Sequence, residues 1–139
     1  MSGERIEPMT DSPTSDAPDT AETTDGSVTG ATRDIADVAA VEVITTAAVH
    51  LMSAAAVKCG LAEDGPDGAG AAYLDLDEAR KLITALAALV TASAPDIGNQ
   101  HARSLRDGLR TLQLAFREAS VIPDAPGEGP GEKFTGSVV

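Results

Sequence analysis

The sequence predicts an all-α protein, a three-helix hairpin-type bundle, and three observations carry the prediction. Apolar residues recur at helical spacing in three stretches between about residues 34 and 122. No stretch alternates with a period of two, so no sheet is expected. Gly- and Pro-rich punctuation separates the stretches, and helix-start and helix-stop residues stand at their ends. The expected organisation is a disordered acidic N-terminal arm over 1–33, a helical domain over 34–122 with helices at about 34–59, 76–93 and 100–120, and a flexible Pro/Gly-rich C-terminal tail over 123–139.

The first helix is expected from about Asp34 to Cys59. Asp34 and Asp37 suit the positive end of a helix dipole, Lys58 suits the negative end, and Gly60 follows as a natural cap. At about 100° per residue, Val41, Ile44, Ala48, Leu51, Met52, Ala55 and Cys59 share one face. Val43, Ala47, Val49, Ala54, Ala56 and Val57 spread over most of the rest, leaving Glu42, Thr46, His50 and Ser53 as a narrow polar strip. A helix apolar nearly all round is a buried helix. Two flanking helices of one copy cover only part of it, so Val43, Ala47 and Ala54 on one side and Val49 and Ala56 on the other are candidate oligomer-interface residues.

Residues 60–73 have Gly and Pro punctuation without a period and read as a loop. The second helix opens at Asp75, whose spacing to Glu78 resembles a capping box. Leu76, Ala79, Leu82, Ile83, Leu86, Leu89 and Val90 share its apolar face, with Asp77, Lys81, Thr84 and Thr91 opposite. Pro95 is expected to end it, because a residue preceding proline is pushed out of the helical region. In the third helix Asn99 is the expected N-cap, and Leu105, Leu109, Leu112, Phe116 and Ala119 form the apolar face. Gly108 inside it costs about 1 kcal/mol relative to Ala, and so points to a close helix crossing.

Composition narrows the function. The chain has 139 residues and a net charge of −12. Residues 1–37 hold nine acids against Arg5 and Arg33, a net of −7, and the remainder holds thirteen acids against eight bases, a net of −5. That balance argues against general nucleic-acid binding, which needs a positive footprint. One cysteine, Cys59, excludes an intrachain disulfide and suits a reducing compartment. The N-terminus has no signal pattern. The apolar run over 43–57 is shorter than the ~20 strongly hydrophobic residues a bilayer span needs. The expectation is a cytoplasmic protein with no membrane association.

Three stretches then carry a resemblance: SAAAVKCGLAED (Ser53 to Asp64), DLDEARKLITALAAL (Asp75 to Leu89) and LRDGLRTLQLAFREAS (Leu105 to Ser120). In this order the chain resembles the bacterial domain of unknown function 1844 family, in its high-GC Gram-positive form, over about residues 41–120. Asp75, Leu76, Ala79 and Arg80 are the most specific part. The chain departs from the family at GNQHARS (Gly98 to Ser104), where an acidic Thr-Pro-Glu-Glu-type cap is usual. The resemblance implies the helical architecture and brings no catalytic residue.

No motif carries chemistry. His50, Cys59 and His101 lack the spacing of a zinc site. Gly68 to Gly70 lacks the third glycine of a dinucleotide loop, and Asp64 and Asp67 do not fit a calcium loop. Asp75, Asp77 and Glu78 are explained as cap and dipole compensation in a first helical turn. No catalytic, cofactor-binding or metal-binding residue is therefore assigned, and no cofactor and no enzymatic activity are expected. Arg103, Arg106, Arg110 and Arg117, with Leu114 among them, fall on one stripe of the third helix as candidate partner-binding residues. An acidic protein segment suits the stripe better than RNA, because no aromatic side chains interleave for base stacking.

The functional expectation is a self-associating interaction or scaffolding module, a two-fold dimer or a tetramer of dimers. Twenty Ala but one Phe and one Tyr within residues 38–122 make a thin monomer core. The alternative is a nucleic-acid-associated or translation-related accessory factor using the Arg stripe.

Overall fold

The computed structural model describes residues 35–62 and 69–139. The expected arm over 1–33 and the loop positions Asp64, Asp67 and Gly68 lie outside the described residues. The chain divides into two units, Met1–Ala39 and Ala40–Val139. Of the first, only 35–39 are described; 35–37 form a helical turn in which the Val38 N–H donates to the Ile35 carbonyl at 3.2 Å. All that follows concerns the second unit.

Within it, α1 spans Ala40–Lys58 and a short 3-10 helix spans Ala69–Tyr73. Then come α2 over Leu76–Ile97, α3 over Asn99–Ala119 and the single turn α4 over Glu132–Thr135. The protein is all-α, with three long helices, as the periodicity predicts. α1 begins at Ala40 and not at the expected Asp34. The positions before it, 35–39, are all exposed, and a helix end that buries no apolar face is marginal.

The end of α1 follows the expected cap. Gly60 takes φ +82°, its N–H donates to the Val57 carbonyl at 3.0 Å, and the Leu61 N–H reaches the Ala56 carbonyl at 2.9 Å. Those two bonds are a Schellman motif, which satisfies carbonyls a helix end would leave open. The next helix is tied to this end, since the Asp75 N–H donates to the Lys58 carbonyl at 2.8 Å. Asp75 then caps α2, its carboxylate accepting from the Glu78 N–H at 3.2 Å.

Two expectations about the α2–α3 junction are corrected. Pro95 does not end α2; the helix runs through it to Ile97. Proline removes a helical hydrogen bond, but the extra half-turn carries Ile97 into the core, and burying such a side chain is worth roughly 1.5–3 kcal/mol. Nor is Asn99 the cap of α3; it is the first residue of the helix, and Gly98 stands at the cap position. Gly98 alone separates the helices, at φ +90° and ψ 151°. A side chain at that φ would be strained.

The core sits where α2 and α3 face each other and α1. Ile83, Leu86, Val90 and Leu109 are its largest fully buried side chains. Ala102, Leu105, Leu112 and Phe116 extend it along α3, and Ala48 and Ala55 of α1, with Cys59 just after it, supply the third side. Gly108 marks the expected crossing: a Cβ there would lie 2.5 Å from the Met52 sulfur of α1.

The tail expected to be flexible over 123–139 is instead packed on the helical hairpin. Pro130, Gly131, Glu132 and Val138 are buried, and α4 packs against α2. Its composition resembles a linker, but its glycines and prolines are used for fit. Gly131, at φ +76°, lies so close to α2 that a Cβ would meet that of Ala87 at 2.6 Å.

Candidate functional site

Three surfaces are candidates for function: the open side of α1, the basic side of α3, and the seat of the C-terminal segment. Of the nineteen residues of α1, only Ala48 and Ala55 are buried. Val43, Val49 and Val57 are 44%, 51% and 36% exposed. Of the candidate interface residues, Val43, Ala47 and Val49 are exposed, while Ala54 and Ala56 are half-buried. Val49 and Ala56 join Met52, Leu61 and Leu112 around an apolar groove of about 360 Å³ between α1 and α3, floored at Gly108. Val43, Ala47 and Ala54 lie on the other flank, beyond the polar strip. α1 is also the one helix among the described residues long and apolar enough to cross a membrane, with a mean hydropathy of 1.6 over an 18-residue window.

The basic stripe of α3 is not uniform. Arg103, Arg106, Arg110 and Leu114 are exposed. Arg117 is half-buried and donates from Nη1 to the Asp124 carbonyl at 2.9 Å, so the C-terminal segment engages it. Arg106 and Arg110 instead rim a cleft of about 270 Å³ between α2, α3 and that segment, walled by Val90, Leu109, Phe134 and Val138.

The seat of the segment is built from side chains that the motif reading did not single out. Gln113 is buried on α3, and its Nε2 donates to the Pro130 carbonyl and to the Thr135 hydroxyl, both at 3.1 Å. Glu132 is buried as well; its carboxylate accepts from the Gly127 N–H at 2.7 Å and the Gly129 N–H at 3.3 Å, closing the turn before α4. The one legible signal was Gln113 itself, a long polar side chain beside Leu109, Leu112 and Phe116 on the apolar face.

The specific stretch at the start of α2 now has physical content. Asp75 caps the helix, Ala79 is fully buried, and Leu76 packs against the core. Arg80 lies 4.9 Å from the Phe116 ring centroid and pairs with the Asp124 carboxylate at 3.0 Å. One guanidinium thus joins α2, α3 and the segment after α3.

As to chemistry, His50 and His101 are exposed and Cys59 is buried. Among the described residues no group of three or more His, Cys, Asp or Glu is placed to hold a metal ion. Burial pushes the Cys59 thiol above its ordinary value of 9.0, which keeps it protonated at neutral pH and a poor nucleophile. Asp75 and Glu78 are engaged with a helix N-terminus and with Lys81, whose ammonium lies 2.6 Å from Glu78.

These surfaces define a small all-α domain on a helical hairpin, with one apolar helix half open and an ordered C-terminal strap. The chain belongs to the family described as Domain of unknown function (DUF1844), whose model matches residues 40–118. No curated protein and no solved structure matches it. The matched span runs from the start of α1 to the last turn of α3, and the strap lies beyond it.

Proposed function

We propose that this protein is a self-associating helical module, a homodimer or a tetramer of dimers, that works as an interaction or scaffolding element in the cytoplasm and carries no catalytic activity. The observation that supports this most is the state of α1. A helix this apolar is ordinarily enclosed, yet one copy buries only Ala48 and Ala55 of it and leaves Val43, Val49 and Val57 in water. Exposed apolar strips of this kind mark interaction surfaces. A soluble setting fits better than a bilayer, because α1 is packed on α2 and α3, whose outer sides carry Asp77, Lys81, Arg103 and Arg110.

Sedimentation velocity of the full chain across a hundredfold concentration range tests the reading. The expected result is an oligomer at micromolar concentration and a melting temperature that rises with protein concentration. A well-folded monomer with concentration-independent melting would refute it.

A further inference from the structure

The open side of α1 carries a repeat. Val43, His50 and Val57 stand seven residues apart, and a seven-residue step drifts only about 20° around a helix, so the three form one line. All three are exposed, on the side away from the buried Ala48 and Ala55. Between them stand Thr46 and Ala47 before His50, and Ser53 and Ala54 after it, all small. The line reads the same from either end: valine, small pair, histidine, small pair, valine. A surface symmetric about its midpoint matches itself under a two-fold rotation, and small side chains let two helix axes approach to about 8 Å.

We propose that the occupant of this face is a second copy of the chain, with the two α1 helices antiparallel, His50 against the partner's His50 at the two-fold axis and Val43 over the partner's Val57. This rests on the self-association proposed above and gives it a register. Charge selects the antiparallel sense. α1 has an acid in its first turn, Glu42, and a base in its last, Lys58, so the antiparallel pair sets unlike ends at the same level and opposes the two helix dipoles. Between Glu42 and Lys58 the helix has no Asp, Glu, Lys or Arg, so pairing along this line brings no like charges together at the seam.

Cysteine cross-linking on the full-length chain tests the register, in a Cys59→Ala background with helical circular dichroism checked for each variant. His50→Cys should form a covalent dimer on mild oxidation, since residues facing across the axis come within disulfide reach. His101→Cys, exposed on α3, is the control. Val43→Cys mixed with Val57→Cys should cross-link, and Val43→Cys alone should not. If the chain sediments as an oligomer but His50→Cys cross-links no faster than His101→Cys, the seam is wrong while self-association stands. If Val43→Cys alone cross-links faster than the mixture, the antiparallel sense is wrong. If the chain is a monomer throughout, both readings fall. A second measurement keeps native Cys59: His50→Leu buries a more apolar side chain twice at the axis and should tighten dimerisation by about tenfold or more. An unchanged dissociation constant would overturn the seam.

Discussion

Gly131 decides whether the C-terminal segment can seat on the hairpin. Its φ of +76° is strained for any residue with a side chain, and a Cβ would stand 2.6 Å from that of the fully buried Ala87. Gly131→Ala should therefore lower stability by about 2–3 kcal/mol, part from the left-handed backbone and part from overpacking. Urea unfolding reads this directly, and a loss below about 0.5 kcal/mol would mean the segment detaches at little cost. Arg106→Glu with Arg110→Glu makes the contrast. Both side chains are exposed, neither has an ion-pair partner among the described residues, and the double change should shift stability by no more than about 1 kcal/mol. Cys59 allows a pH argument. Its thiol is raised by burial, so the proton is held more tightly in the folded chain. That contribution is fully present below the ordinary thiol value of 9.0 and is lost as pH climbs through the raised folded value. Iodoacetamide at pH 8 should alkylate the native protein far more slowly than the urea-unfolded chain. A rate within tenfold of the unfolded one would show the thiol to be open.

At the scale of elements, the junctions carry more information than the helix interiors. α1 ends in a Schellman motif because Gly60 is where the backbone must turn left, and α2 begins at Asp75 because its carboxylate meets the Glu78 N–H. Both were legible, since capping is local chemistry. The α1–α3 crossing was half legible: a glycine inside a helix signals close approach, but its partner, Met52, is a fact of tertiary packing. Gly108→Ala would put a Cβ 2.5 Å from the Met52 sulfur, and a flexible thioether can move. The helix-propensity gain of about 1 kcal/mol should offset much of that displacement, leaving stability within about 1 kcal/mol. Gly108→Leu should force the helices apart and cost about 2 kcal/mol or more. Thermal melts of the two variants should separate these outcomes, and equal losses would mean Met52 cannot give way.

For the whole molecule, the strap changes how the domain is counted. The family match stops at residue 118, yet Asp124, Gly131, Glu132 and Val138 pair with or are buried on the matched part. Removing residues 121–139 takes both acceptors from the buried Gln113, the carboxylate from Arg80 and the cover from Ala87. The two lost hydrogen bonds are together worth about 1–3 kcal/mol. The truncated chain should keep its helical circular dichroism but melt about 10 °C or more lower. An unchanged melting temperature would restore the reading of a dispensable tail. The segment was misread because composition reports how much apolar surface a stretch can bury by itself. It does not report whether its carbonyls and glycines fit a surface formed elsewhere.

By itself the sequence determined the all-α class, the three long helices and most of their buried faces, the caps at Gly60 and Asp75, and the family. All but the family follow from residues within a turn or two of one another, where periodicity and capping act; the family follows from the order of three stretches between residues 53 and 120. Tertiary structure alone decided that α2 continues through Pro95, that Gly98 by itself joins α2 to α3, that Arg117 turns to the strap while Arg106 and Arg110 face a cleft, and that the last residues are seated. These outcomes depend on contacts between distant parts of the chain. Burying Ile97 outweighs a lost helical hydrogen bond, and Gln113 finds its acceptors seventeen and twenty-two residues further on.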